Sequence, residues 1–185
     1  MSEFRPGPPP PEAYSRVTNP ERFRPLHDAA LSLLDTVTDG YDVERRERTE
    51  EDVSLRYPNA RPTILLTPSI PTAAPLAVAF TSFPGLLVRA GRWARIAIPP
   101  CGCDACDETA ESAIEELAWL VECVTHGHFR ESIDLPLDGD AWHQSQWGPP
   151  QGRRSGGGSR ISRDKAVAML GSGPATHEWH PWPLR

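Results

Sequence analysis

The chain has 185 residues, of which 38% are apolar and 21 are prolines, and its formal net charge is −6 at pH 7. Apolar content below the usual ~45–50% and proline at about twice its ~5% average are typical of one domain with extended ends. No run of lysine or arginine is long enough to contact successive phosphates of a nucleic acid, so nucleic-acid binding is not predicted. No apolar run reaches ~18 residues, so a membrane span is not predicted either.

The N-terminal segment, residues 1–18, contains PGPPPP and few large apolar side chains. Such a composition predicts a disordered, Pro-rich tail, because it cannot bury enough surface to become ordered. The segment also lacks a basic start followed by an apolar stretch, so no secretory signal is predicted. We therefore expect a cytoplasmic protein.

A helix is predicted over residues 20–39. Asn19 is a good N-cap, Pro20 suits the first helical position, and Gly40 is placed to end the helix in a left-handed conformation. The apolar residues that recur at helical spacing are Phe23, Leu26, Ala30, Leu34 and Val37.

Strands are predicted next, beginning near Tyr41 and Val43 and followed by the charged run ERRERTEED as a surface excursion or edge-strand turn. Apolar runs separated by Pro-rich, Pro-Gly and Gly-Arg turns predict an antiparallel meander over 64–67, 76–83, 86–89 and 93–98. A second helix is predicted over 107–124, with Asp104 as a candidate cap. Residues 129–135 favour one more strand.

The C-terminal arm, residues 136–185, is rich in Gly, Pro and Ser and includes the linker-like GRRSGGGSR. A short helix is predicted over 162–170. Trp179 and Trp182 favour docking onto apolar surface, because large aromatic side chains are costly to leave in water.

Together these elements predict an α+β fold with an antiparallel four- to five-stranded sheet and two main helices packed on one face. We expect a disordered tail over 1–18, a core domain over 19–135 and a loosely structured arm over 136–185.

The most specific chemical signal is the segment CGCDACD, which places Cys101, Cys103 and Cys106 between a strand and a helix. Zinc takes four ligands in a tetrahedron, and closely spaced cysteines in a turn commonly supply part of such a set. Among the chain's other donors, His180 is the favoured fourth ligand, with His177 as an alternative, because their segment is free to fold back.

Cys123, His126 and His128 are excluded from this site on geometry. A helix rises ~1.5 Å per residue, so Cys123 would lie roughly 25 Å from Cys106.

Two further interpretations of the cysteines remain open. Cys103 and Cys106 could form a redox pair at a helix N-terminus, although Asp104, Asp107 and Glu108 oppose thiolate formation. Alternatively, the three cysteines are small, partly buried residues in a tight turn.

The string CGCDACDE followed by an acidic amphipathic helix resembles an uncharacterised actinobacterial family of unknown function that carries this motif, with the resemblance covering residues 12–131. The resemblance implies no reaction and no catalytic residues. The residues themselves pair no nucleophile with a base, so they argue against a hydrolase or transferase. We therefore expect a non-enzymatic structural or protein-partner-binding module with a structural zinc, or else a thiol-based redox protein or sensor.

Overall fold

A computed structural model describes residues 10–14, 16–51, 60–152 and 154–185 of the chain. It contains three α-helices and two antiparallel sheets. The helices are α1 (Pro25–Gly40), α2 (Ala110–Thr125) and α3 (Arg163–Leu170). The strands are β1 (Val43–Glu51), β2 (Ala60–Pro68), β3 (Leu76–Phe80), β4 (Leu86–Ala90), β5 (Ala94–Ile98), β6 (Phe129–Asp134), β7 (Ala141–Trp147), β8 (Arg154–Ile161) and β9 (Thr176–Glu178).

The first sheet is the predicted meander, with its five strands in chain order from β1 to β5. Its inner face carries the apolar residues of alternate positions, and α1 and α2 bury their apolar stripes in the same core. Leu66, Val78 and Val88 of the sheet meet Leu34 of α1 and Leu117 of α2 there. The predicted α+β class, the five-stranded sheet and the two helices on one face are confirmed.

The charged run predicted as an excursion or edge turn is the edge strand β1. Arg45 pairs with Asp35 of α1 and, at 2.9 Å, with Glu47, while Arg46 pairs with Glu44 at 2.8 Å. The run is held as a strand by antiparallel pairing with β2, and charged side chains on an edge strand discourage pairing with another chain.

The first helix begins later than the pattern predicts. Pro20–Phe23 forms a 3-10 turn, α1 starts at Pro25, and Asn19 makes no side-chain cap hydrogen bond. Gly40 ends the helix without a left-handed conformation, since Tyr41 serves as an extended C-cap.

The C-terminal arm builds most of the second sheet, whose strand order is β8-β7-β6-β9. The predicted boundary after residue 135 thus falls between the paired strands β6 and β7. Most of the glycine-rich segment predicted as a linker forms β8. Gly158 lies beneath the Trp142 indole, where an added Cβ would come within 2.6 Å of the ring nitrogen.

Tryptophans join the arm to the core, as expected. Trp179 and Trp182 are buried, and the Trp182 indole donates to the Ala74 carbonyl at 2.9 Å. Trp147 is fully buried and stacks on Phe129 with ring centroids 4.1 Å apart.

Of the predicted disordered tail, residues 1–9 and 15 lie outside the described part of the chain. Pro11–Tyr14 forms a 3-10 turn with Ala13 buried, and residues 16–18 contact the cysteine loop.

Candidate metal centre

The cysteine loop connects the end of β5 to the start of α2. Gly102 adopts a φ of +76°, and an added Cβ there would lie 2.8 Å from the Cζ atom of Phe83. Only glycine accommodates this close approach without strain. A tight turn follows, in which the Cys106 amide donates to the Cys103 carbonyl at 3.2 Å.

The turn brings three thiols together. The sulfur atoms of Cys101, Cys103 and Cys106 all lie within 4.8 Å of one another, and those of Cys103 and Cys106 are 3.3 Å apart. Sulfurs bound to one zinc ion at ~2.3 Å in a tetrahedron are separated by roughly 3.5–4 Å. Cys103 is buried, while Cys101 and Cys106 are exposed. The cluster can therefore hold a metal ion on the protein surface.

Cys103 and Cys106 differ in how readily their thiols ionise. Hydrogen bonds from Cys101 and then Cys106 lower the pKa of Cys103, and the backbone amides of Ala105 and Cys106 act in the same direction. The same contact with Cys103, followed by that with Cys101, raises the pKa of Cys106 to about 12. Of these two thiols, Cys103 thus ionises before Cys106.

Arg22 supports the loop from the preceding 3-10 turn. Its guanidinium donates to the carbonyls of Gly102 at 3.0 Å, Cys103 at 3.4 Å and Glu108 at 3.3 Å. A further bond runs to the Asn19 carbonyl at 3.1 Å. All four partners are carbonyl oxygens, so Arg22 brings a positive charge to the cysteine loop, and no carboxylate of the described ranges forms an ion pair with it.

Asp104 ties residues 16–18 to the loop and does not cap α2. It accepts from the Thr18 amide at 2.9 Å and pairs with Arg16 at 3.1 Å. The Thr18 amide is the main reason that the pKa of Asp104 is lowered. The cap of α2 is instead Thr109, which forms a capping box with Ser112.

His180 lies at the other end of the first sheet from the cysteine loop. Its amide donates to the Thr72 carbonyl at 3.0 Å, and it bridges Ala73, shortly before β3 begins. The cysteine loop packs instead on Phe83, which follows the end of β3. The five residues of β3 span roughly 17 Å. His180 is accordingly outside the three-cysteine group, because the arm docks where the strand starts.

The far end of α2 is likewise remote from the thiols. Cys123 is buried there, and its carbonyl accepts from the His128 amide at 2.8 Å. The 16 residues of α2 span roughly 24 Å, which agrees with the exclusion of Cys123, His126 and His128.

Sequence reasoning missed one buried carboxylate, Glu131 of β6, which is 1% exposed. It accepts from the amides of Arg92, Trp93 and Ala94 and from the Trp179 indole. Burial raises the pKa of Glu131 and these four donors oppose that shift. The alternation in FRESID, which puts Glu131 on the same face as Phe129 and Ile133, was the available signal.

None of the helices in the described ranges is long and apolar enough to span a bilayer. No curated protein and no solved structure matches this chain. One family model does match, and it covers residues 2–185, a longer stretch than the resemblance drawn from the cysteine motif. The chain therefore belongs to the family of unknown function DUF6226.

Proposed function

We propose that this protein is a non-enzymatic, partner-binding module in which Cys101, Cys103 and Cys106 hold one structural zinc ion. The observation that carries the proposal is the convergence of three sulfurs within 4.8 Å. Thiolates are soft ligands that favour zinc over magnesium, calcium or manganese.

The surroundings of the thiols suit a metal-bound thiolate. The backbone amides of Ala105 and Cys106 lower the pKa of the Cys103 thiol, and donors of this kind around a metal site favour the thiolate. Three thiolates would exceed the charge of a zinc ion by one negative charge, and Arg22 supplies a nearby positive charge.

The zinc's proposed task is to hold the N-terminal segment, residues 16–22, against the junction of β5 and α2. That segment already contacts the loop through Asp104 and Arg22. Metal binding would raise the free energy of unfolding, since an ion that binds only the folded loop stabilises the folded state.

The fourth zinc ligand is proposed to come from water or from a partner protein. Cys101 and Cys106 are exposed, so a donor can approach the ion from solvent. Because His180 pairs with Ala73 at the opposite end of the sheet, we do not assign it this role. All four cysteines are free thiols, which supports the proposed cytoplasmic location.

Elemental analysis of the purified protein tests the zinc proposal. We expect about one zinc per chain, and less than about a tenth of an equivalent in the Cys103→Ala variant. Cys123→Ala is the matched control, because it removes a buried thiol remote from the cluster and should keep the zinc. A wild-type protein with less than about a tenth of an equivalent of zinc and four titratable thiols would contradict the proposal.

A second candidate is a thiol redox function, favoured by the 3.3 Å separation of the Cys103 and Cys106 sulfurs. In this scheme the Cys103 thiolate attacks glutathione disulfide, forms a mixed disulfide and releases one glutathione thiolate. Cys106 then loses its proton and displaces the second glutathione, so the protein forms a disulfide as glutathione disulfide is reduced by two electrons.

Zinc ranks above redox because Cys103, the thiol with the lowered pKa, is only 3% exposed, which hinders attack on a large disulfide. The Cys106→Ala variant should trap the mixed disulfide if the redox scheme holds. Zinc-free protein that forms no Cys103–Cys106 disulfide with glutathione disulfide, as read by peptide mass spectrometry, would exclude it.

A further inference from the structure

A hollow of about 560 Å³ lies between the segment before β3 and the strand β9, remote from the cysteine loop. Ile70, Pro71 and Pro75 supply apolar wall, while Arg92 and His177 contribute polar groups. An apolar concavity with a few converging polar groups is the usual form of a small-molecule site.

One cationic side chain, Arg92, lines the hollow. Arg92 is exposed, and its guanidinium makes no hydrogen bond or ion pair within the described ranges. Glu178 also lines the hollow, but it pairs with Arg130 at 3.5 Å.

A second hollow shares Arg92 and adds Arg48, Arg89 and Arg95. Arg89 and Arg95 are direct cross-strand partners, an arrangement in which like charges destabilise a sheet. Arg92 therefore lies beside further basic side chains of the first sheet.

His177 adds a ring nitrogen that lacks a partner. Its Nε2 atom is buried with no hydrogen bond among the residues that the structure describes. The ring stacks on Trp179 with centroids 5.2 Å apart and meets the edge of Trp93 at 5.1 Å. Burial, and then the charge of Arg92, lower the pKa of His177, which favours the neutral imidazole. An unpaired buried polar atom costs free energy that a bound ligand can recover.

We propose that this hollow binds a small organic anion, with carboxylate or phosphate oxygens on Arg92 and an apolar body against Ile70 and Pro71. Arginine suits this role because its planar guanidinium can donate two parallel hydrogen bonds to either oxyanion.

Phenyl phosphate, benzoate and the neutral analogue phenol are suitable probes, followed by amide and indole chemical shifts in ¹⁵N NMR spectra. We expect saturable shifts at Thr72 and the Trp179 indole with an anionic probe and none with phenol. The anion that binds with the higher affinity, phenyl phosphate or benzoate, indicates whether the natural ligand carries a phosphate or a carboxylate.

Arg92→Gln should weaken anion binding by about tenfold or more, since it removes a charge-assisted hydrogen bond. Arg160→Gln is the control, because Arg160 is an exposed arginine of β8, in the second sheet, and pairs with Asp140. Both variants should retain the wild-type dispersion of the NMR spectrum. No saturable shift with either anion, equal affinity in Arg92→Gln, or shifts confined to other surfaces would overturn the proposal.

Discussion

Replacing Glu131 with glutamine tests how the two sheets are joined. One carboxylate oxygen accepts from the amide of Arg92 at 2.7 Å and the indole of Trp179 at 3.2 Å. The other accepts from the amides of Trp93 at 2.8 Å and Ala94 at 3.1 Å. In the glutamine variant an NH2 group faces two of these four donors, whichever way the side-chain amide is turned.

The expected cost follows from those two donors. Each buried donor left without an acceptor costs about 1–3 kcal/mol. The loss is partly offset because a neutral amide avoids the desolvation that raises the pKa of Glu131. We therefore expect the free energy of unfolding to fall by about 2–4 kcal/mol, and Tm by about 4–16 °C for a chain of this length.

Urea unfolding followed by tryptophan fluorescence measures this change, and Glu115→Gln on the exposed face of α2 is the matched control. The control should lie within about 0.5 kcal/mol of the wild type. If Glu131→Gln also unfolds within about 1 kcal/mol of the wild type at an unchanged m value, the four hydrogen bonds do not join the sheets as argued.

Three further predictions concern the cysteine loop and the C-terminal tryptophans. Gly102→Ala should lose about 1–3 kcal/mol of stability and part of its zinc, because its Cβ meets a phenyl ring. Gly139→Ala, whose glycine also has a positive φ but lies in open space, should keep its zinc. In metal-free protein, Cys103→Ala should lower the pKa of Cys106 from about 12, because contact with Cys103 is the main cause of that value. Faster iodoacetamide alkylation of Cys106 at pH about 9 would show it. Trp182→Ala should cost about 3–5 kcal/mol in urea unfolding, because the side chain is 3% exposed.

Each of these has a result that would contradict it. Equal zinc content in the Gly102 and Gly139 variants would mean that loop geometry does not set metal binding. An unchanged alkylation rate of Cys106 would show that contact with Cys103 does not raise the pKa of Cys106. A Trp182 variant as stable as the wild type would mean that the C-terminal segment contributes little to the core.

Local patterns were sufficient to predict strands β3 to β5 and both long helices, but not that the charged run forms β1. The apolar stripe that includes Leu26, Ala30 and Leu34 predicts α1, and it is buried as expected. Alternation and turn residues likewise predict β3 to β5, because the two faces of a strand meet different surroundings. The sequence places three cysteines within six residues but leaves open whether their sulfurs converge, since an extended segment of that length spans roughly 17 Å.

Only the tertiary structure decided where the C-terminal arm binds. Glycine-rich β8 lacks an apolar alternation, so its pairing with β7 depends on strands distant from it in the chain. The same docking fixes His180 beside Ala73, at the opposite end of the sheet from the thiols. It also buries Glu131 beneath the turn before β5 and places His177 near Arg92. These contacts join residues far apart in sequence, whereas periodicity reports only on near neighbours.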